Sequence, residues 1–413
     1  MNSYPHISQA SPVARRRIAA SALAAVTLLV SPAVASAAGD VGPSAAPRPV
    51  LEQRMEQTVA AGAPGIVTLI NDGSNAGEPW TAARGVADVR TQRPMRPTDH
   101  FRIGSVTKSF VATVALQLVE EGRLSLSDTV EQWLPGILPY GDKVTLRQLL
   151  NHTSGIPDAL FMTRELIYSG DPFRAWSPRE IVALIAGEPQ LFPSGSAYYY
   201  SSTNTVLAGL IIEQATGHPL GDEIERRIIL PLHLRDTSFP VNDPSIPAPS
   251  ARGYSLDHDA QGNPIEGPLR DVTVYNPSGA WAAGNMISNV EDIARFYRAL
   301  LGGRLLSPAG LAEMKTTVNA GPGERYGLGL EVRDTPCGPL YGHDGGVPGF
   351  VNADYSNEDG TRQLGIMMNV QEWPAAVDAP FNLTIDQTIR EAFAGAPQCA
   401  GADQRAALAR AAG

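Results

Sequence analysis

Phe101-Arg102-Ile103-Gly104-Ser105-Val106-Thr107-Lys108 leads into a strongly helical stretch, Ser105 to Glu121, stopped by Gly122. Ser105 and Lys108 stand at i and i+3 at its start, so hydroxyl and ammonium share one helical face. A helix N-terminus also presents free N–H groups and a positive dipole end, suited to a developing oxyanion. Ser105 is thus a candidate nucleophile with Lys108 beside it. The plain alternative is a capping serine followed by a surface lysine. Only Lys108, Lys143 and Lys315 stand against 29 arginines, which makes each lysine worth inspecting.

Two other constellations stand out further along the chain. Tyr200-Ser201-Ser202 precedes a helix expected from about Thr203 to Ala215, and a tyrosine near a lysine can share its proton and act as a base toward a serine. Taken alone, Tyr198-Tyr199-Tyr200 reads equally as packing. His343-Asp344-Gly345 closes a predicted strand ahead of Gly346-Val347-Pro348-Gly349, where glycines let a substrate backbone approach the strand edge. Taken alone, that is a glycine-rich turn.

Around these motifs the pattern is α/β. An amphipathic helix is expected from Val50 to Ala61, with Leu51, Met55 and Val59 on one face. Ile66–Ile70 and Trp80–Val89 read as hairpin strands. From Ser125 to Pro240 the chain is helices and loops, including Leu146–His152, Pro178–Ala186 and Asp222–Ile229. Residues 240–280 read as a long loop, followed by a helix from Asn289 to Leu301. Tyr326–Arg333, Pro339–His343, Phe350–Ser356 and Gln363–Val370 read as consecutive strands, and Asn382–Ala394 as a last helix. The expected architecture is an antiparallel sheet flanked by helices, built from residues 45–124 and 285–399, with a mainly helical domain inserted at 125–284 and a flexible tail at 400–413.

Composition narrows the function. The chain has 413 residues, 43% hydrophobic, with 32 basic and 42 acidic side chains and a net charge of −10. Such a balance excludes wholesale disorder and argues against a nucleic-acid surface. Arg15, Arg16 and Arg17, an apolar run from Ile18 to Val30 and the small residues Ala33 to Ala38 describe a secretory signal peptide over 1–37; a membrane anchor is the alternative, but thirteen apolar residues fall short of the roughly 20 a span needs. Cleavage after Ala37 would take the charge from −10 to −13. No later segment predicts a membrane anchor, so a secreted chain is expected. Export makes Cys337 and Cys399 a candidate disulfide rather than two unrelated thiols. The seven histidines show no metal-ligand spacing, so neither a metal nor a cofactor is expected.

Together, and in this order, the three motifs resemble those of the penicillin-recognising serine hydrolases: class C β-lactamases, secreted D-alanyl-D-alanine carboxypeptidases, D-stereospecific peptidases and related esterases. The matching elements are S-x-x-K at Ser105–Lys108, a Y-x-N-like motif at Tyr200–Ser202 and an H-x-G in place of K-T-G at His343–Gly345. Phe101–Gly104, Leu149–Gly155 and Ala283–Ser288 also resemble family stretches, and the likeness covers residues 50 to 400. It implies a β-lactamase/DD-peptidase-like fold and acyl transfer through a covalent acyl-enzyme. Ser105 would attack, Lys108 and Tyr200 would relay its proton, and the N–H groups of Ser105 and Gly346 would hold the oxyanion. His343 would orient the strand edge and lend polar or positive character, while His152 would be structural. Likeness to the secreted carboxypeptidases further implies a rim position for Trp281, substrate contacts at Ser202 and Gly345, and a bridge between Cys337 and Cys399.

The resemblance implies a monomer acting on a peptidoglycan stem peptide, another D-peptide, a β-lactam or an ester. A D-alanyl-D-alanine carboxypeptidase-like peptidase leads these alternatives, and a non-catalytic penicillin-binding module is disfavoured by the intact Ser105, Lys108 and Tyr200. Three departures bear on substrate. Ser202 lacks the carboxamide of the family motif, and Gly346 lacks the hydroxyl common there. Where the carboxypeptidases carry a carboxylate-binding arginine, this chain has Glu331, or Leu330 with the gap placed elsewhere. Arg333, two residues on and on the same strand face, is the candidate substitute anchor. If no arginine serves, a blocked or neutral leaving group is expected.

Overall fold

The computed structural model describes residues 48–371 apart from 72, 74–78, 259–263 and 336–337. The leader at 1–37, the Cys337–Cys399 pair, the helix expected at 382–394 and the tail lie outside the described residues. The strands in chain order are β1 (Gly65–Asn71), β2 (Trp80–Asp88), β3 (Arg93–Pro94), β4 (Phe101–Arg102), β5 (Tyr254–His258), β6 (Pro264–Asp271) and β7 (Ile287–Ser288). They continue as β8 (Val318–Gly321), β9 (Glu324–Tyr326), β10 (Glu331–Thr335), β11 (Gly338–Val347), β12 (Phe350–Ser356) and β13 (Gln363–Met368). Nine of them form one antiparallel sheet in the order β3-β2-β1-β13-β12-β11-β10-β9-β8. Its strands come from the two ends of the described chain; the helices Thr107–Glu120 through Leu220–Ile224 lie between them in sequence.

Alternation along β1 explains the layering. Ile66 and Ile70 face a core shared with Leu51 and Met55 of the helix Arg48–Ala60, while Val67 and Leu69 face the opposite core. Both faces are covered, so β1 is buried along its whole length and is mostly apolar, broken only by Thr68 before its last residue, Asn71. The second core contains the helix Thr107–Glu120, whose residues 107–116 are all buried. Phe110 on this helix stacks on Phe296 of the helix Val290–Leu301 with ring centroids 3.7 Å apart.

Three expectations change. Residues 240–280 are not all loop, because β5 and β6 pair within them; the outer positions of that two-stranded ribbon are exposed, which erases the apolar alternation. The strand expected over Tyr326–Arg333 is split into β9 and β10 by Gly327 to Leu330. There Gly329 adopts φ +68 and a Cβ on it would overlap Ala112 of the helix Thr107–Glu120. The glycine-rich turn expected after His343 is instead strand, with β11 running through to Val347 in register with Val351 and Phe350.

Asp354 in β12 is 3% exposed, and its Oδ2 has no hydrogen-bond partner among the described residues. Burial holds its carboxyl well above the usual carboxylate range, so the folded protein keeps a proton that the unfolded chain releases above about pH 4. The stability this group contributes is complete below that unfolded value and is lost as pH rises towards the folded one. Thermal melts of Asp354→Asn should therefore gain on the parent protein as pH is raised from 4 to 8; a difference in Tm that does not change with pH would contradict this.

Candidate active site

Ser105 lies in the short 3-10 turn Gly104–Val106, which runs directly into the helix Thr107–Glu120. Gly104 makes the entry with φ +51. Lys108, one turn on and 1% exposed, donates from Nζ to Ser105 Oγ at 2.9 Å and to the Ala283 carbonyl at 2.7 Å. Burial lowers its pKa to about 8, against the pull of the Asp158, Glu331 and Asp344 carboxylates. A fraction of the lysine is therefore neutral near pH 7 and able to accept the serine proton.

Tyr200 hydrogen-bonds to the Ser105 side chain, and Lys108 Nζ lies 4.9 Å from its ring centre. Burial pushes the phenol well above its ordinary range. It rests protonated, so it passes a proton on rather than first removing one, which makes neutral Lys108 the group able to take the serine proton. His152 fixes this phenol. Its ring centre lies 4.4 Å from that of Tyr200, and its Nδ1 accepts from the Ser201 N–H at 3.3 Å and the Asn204 amide at 3.0 Å. Burial keeps His152 well below its ordinary pKa, hence neutral.

β11 closes the site from the other side. A Cβ on Gly345 would overlap the Ile103 carbonyl oxygen and come within 3.3 Å of the Ser105 nitrogen, and one on Gly104 would come 2.9 Å from the Gly346 nitrogen. The two segments touch backbone to backbone, which only glycine permits here. Asp344 N–H points off the β10 side of β11, where Glu331 Oε2 accepts it at 3.2 Å; two residues on, the N–H of exposed Gly346 points off the same edge.

His343 is fully buried, and burial lowers its pKa to about 4. Its Nε2 lies 2.8 Å from the Tyr326 hydroxyl and its Nδ1 meets the Asp344 carbonyl, so the neutral ring donates from Nδ1 and accepts at Nε2. The ring lends no positive charge at neutral pH, and its centre lies 6.2 Å from that of Tyr200. It orders the strand rather than touching Ser105.

Other positions singled out in the sequence stand away from the nucleophile or are already engaged. Trp281 is 4% exposed and packs against Gly209 of the helix Ser202–Thr216, so it is buried rather than on the rim; its neighbour Ala283 supplies the lysine's acceptor. Ser202, also buried, starts that helix, and its N–H donates to Asp158. Arg333 donates to the Tyr355 hydroxyl at 2.7 Å and to Asp344 Oδ2 at 3.2 Å with its side chain 15% exposed, which commits it within the protein instead of leaving it as a free anion anchor. Glu331 Oε2 also accepts from Tyr355, and burial raises its carboxyl; desolvation and the Glu331 charge raise Asp344 to about 6.

Among the described residues, Glu331, His343 and Asp344 bring possible ligand atoms within 4.8 Å of one another. The hydrogen bonds of His343 and the guanidinium of Arg333 already engage them. Sequence reasoning missed Asp158, which accepts the N–H groups of Leu160, Ser202 and Thr203 and sets charge near Lys108. Its only sequence signal is an aspartate ahead of a helix start. It also missed Tyr326, which no motif marks, and the role of the Ala283 carbonyl, although Ala283 opens one of the family-like stretches.

The β-lactamase family model matches residues 50–387. The chain belongs to the β-lactamase family. Among solved structures, a D-stereospecific amidohydrolase from Streptomyces sp. is 39% identical, with a TM-score of 0.71 over 81% of this chain and 98% of that one. A D-amino acid amidase from Ochrobactrum anthropi SV3 is 30% identical, with a TM-score of 0.73 over 84% and 98%. Esterase EstB of Burkholderia gladioli is 31% identical, over 64% of this chain and 78% of that protein. A penicillin-binding protein of Bacillus subtilis (strain 168) is 30% identical over 70% of this chain, and the chain spans 64% of its length. This is a β-lactamase-family serine hydrolase with a large antiparallel sheet flanked by helices.

Two measurements test the proton path. With Lys108 as the accepting base, kcat/KM for an acyl substrate should rise with pH about a midpoint near 8. A flat profile between pH 6 and 9 would count against it. Tyr200→Phe should lower kcat by about 10²–10⁴-fold while circular dichroism stays native; a loss below tenfold would remove Tyr200 from the relay.

Proposed function

We propose that this β-lactamase-family hydrolase cleaves D-aminoacyl amides and esters through an acyl-enzyme on Ser105, with neutral leaving groups preferred over carboxylate-bearing ones. The observation that carries the chemistry is the 2.9 Å bond from buried Lys108 to Ser105 beneath Tyr200. Lys108 takes the hydroxyl proton as Oγ adds to the substrate carbonyl carbon. The N–H groups of Ser105 and Gly346 hold the oxygen as it gains charge. The tetrahedral adduct collapses, the C–N or C–O bond breaks, and Tyr200 and Lys108 return the proton to the departing amine or alcohol. Water then adds to the acyl-enzyme by the reverse path and releases the acid and Ser105.

The leaving-group preference rests on charge. Arg333 is engaged by Tyr355 and Asp344, while the carboxylates of Glu331 and Asp344 lie along the edge where a carboxypeptidase would need a cation. A substrate carboxylate there meets like charge. The likeness to the Streptomyces amidohydrolase and the Ochrobactrum amidase points the same way. The carboxypeptidase-like alternative is favoured by the motif pattern together with the placing of Cys337 and Cys399 in the sequence. The leader-like first 37 residues support action outside the cytoplasm as part of the same proposal.

Purified protein incubated with a D-amino acid amide, a short ester, a D-Ala-D-Ala peptide and fluorescent penicillin should form a mass adduct on Ser105 that Ser105→Ala abolishes. The amide should exceed the free-carboxylate peptide in kcat/KM by about tenfold or more. An absence of any adduct or turnover sinks the catalytic proposal. Equal use of the peptide and the amide would restore the carboxypeptidase alternative.

A further inference from the structure

The helix Val290–Leu301 sends Ile293, Phe296, Tyr297 and Leu300 into the core. Glu291, Ala294, Arg295 and Arg298 fall at i, i+3, i+4 and i+7, which gathers them on another side. Between that side and strands β1, β2 and β13 lies a groove of about 270 Å³, near the lower end of the roughly 300–1,000 Å³ typical of small-molecule sites. Leu69 of β1 stands opposite Thr81 of β2, and both line the groove with Gln363 of β13. None of the lining residues belongs to the machinery around Ser105.

A buried side chain holds Arg298 in place. Gln363, 2% exposed, donates from Nε2 to the Ala294 carbonyl at 2.6 Å, which leaves its Oε1 to accept from Arg298 Nε at 3.3 Å. The two terminal nitrogens of Arg298 have no partner among the described residues. Such an end-on pair of donors matches the two oxygens of a carboxylate. Arg295 is already committed, because it donates to Asp292 at 3.0 Å and to the His233 carbonyl at 3.0 Å. Its charge is answered within the protein, whereas that of Arg298 is not.

Glu291 lines the same groove from the first turn of the helix, exposed and without a hydrogen bond or ion pair among the described residues. Two helical turns, a rise of about 10 Å, separate it from Arg298, so the two charges are not spent on each other. Ala294 lies between them on the helix and Leu69 faces it from the sheet, which gives the groove an apolar stretch between a free anion and a free cation.

We propose that this groove is a second binding site, distinct from the catalytic cleft, for a short zwitterion: an unblocked peptide or ω-amino acid whose carboxylate meets Arg298 and whose ammonium meets Glu291. Occupancy of the groove does not depend on acyl transfer, so it is read as binding rather than as activity.

Isothermal titration calorimetry of the full-length protein at low salt, with 6-aminohexanoate, hexanoate and hexylamine as probes, measures it. 6-Aminohexanoate should bind one to one and at least about tenfold more tightly than either singly charged probe, since each end then gains a charge-assisted contact. Arg298→Gln and Glu291→Gln, both at exposed positions, should each weaken it by about tenfold. Thr81→Phe, which fills the groove from β2, should abolish binding and serves as well if Arg298→Gln does not fold. A zwitterion held no more tightly than hexanoate or hexylamine overturns the proposal, and so does a folded groove variant that binds as the parent does. Loss of hydrolysis toward every acyl substrate would sink the hydrolase reading and leave this one standing.

Discussion

One amine removed from water organises the site. An ammonium in a low-dielectric interior is costly unless charge and hydrogen bonds answer it. Here the answer is partial: Lys108 has a carbonyl and a hydroxyl as acceptors, and three carboxylates act on it through space rather than by direct pairing. A contacting carboxylate would pin the proton to the nitrogen and leave the serine without a base. Full isolation would drive the lysine further down and make its burial in the folded state harder to support. The intermediate solution keeps both protonation states within reach of neutral pH. Around it, His152 and His343 are held neutral, so neither adds positive charge beside Lys108.

The second constraint is steric. Gly104 and Gly345 bring two distant segments into backbone contact, and the distance between the Ser105 and Gly346 nitrogens is set by that contact rather than by any side chain. Precision of this sort comes from excluded volume, which is stiff, and not from hydrogen bonds, which are forgiving. The same glycines leave β11 with a bare edge in front of the serine.

Much of this was legible in the order of residues. The i, i+3 spacing of Ser105 and Lys108, the alternation in Ile66–Ile70 and the face of Leu51 and Met55 are local patterns, and the structure has the elements they imply. What escaped was non-local. The β5–β6 ribbon is half exposed and gives no periodic signal, and the split between β9 and β10 answers to a helix some 220 residues earlier. Trp281 and Arg333 show the same limit at the site: the family resemblance implied a rim aromatic and the strand spacing a substitute anion anchor, but packing against Gly209 and the company of Tyr355 and Asp344 decided otherwise. Asp158 acts on Lys108 across the fold, which no spacing in the chain records.

The sheet that seats Ser105 also dictates when the serine can become reactive. Its central neighbours, β1 and β13, stand at opposite ends of the described chain, and the lysine's carbonyl acceptor is 175 residues away from it. Long-range pairings of this kind form late, because the entropy of closing so large a loop must be met before any contact rewards it. In the unfolded chain the same residues are a solvated serine and an ordinary solvated amine, so the pairing of Ser105 with a buried Lys108 is a property of the completed topology.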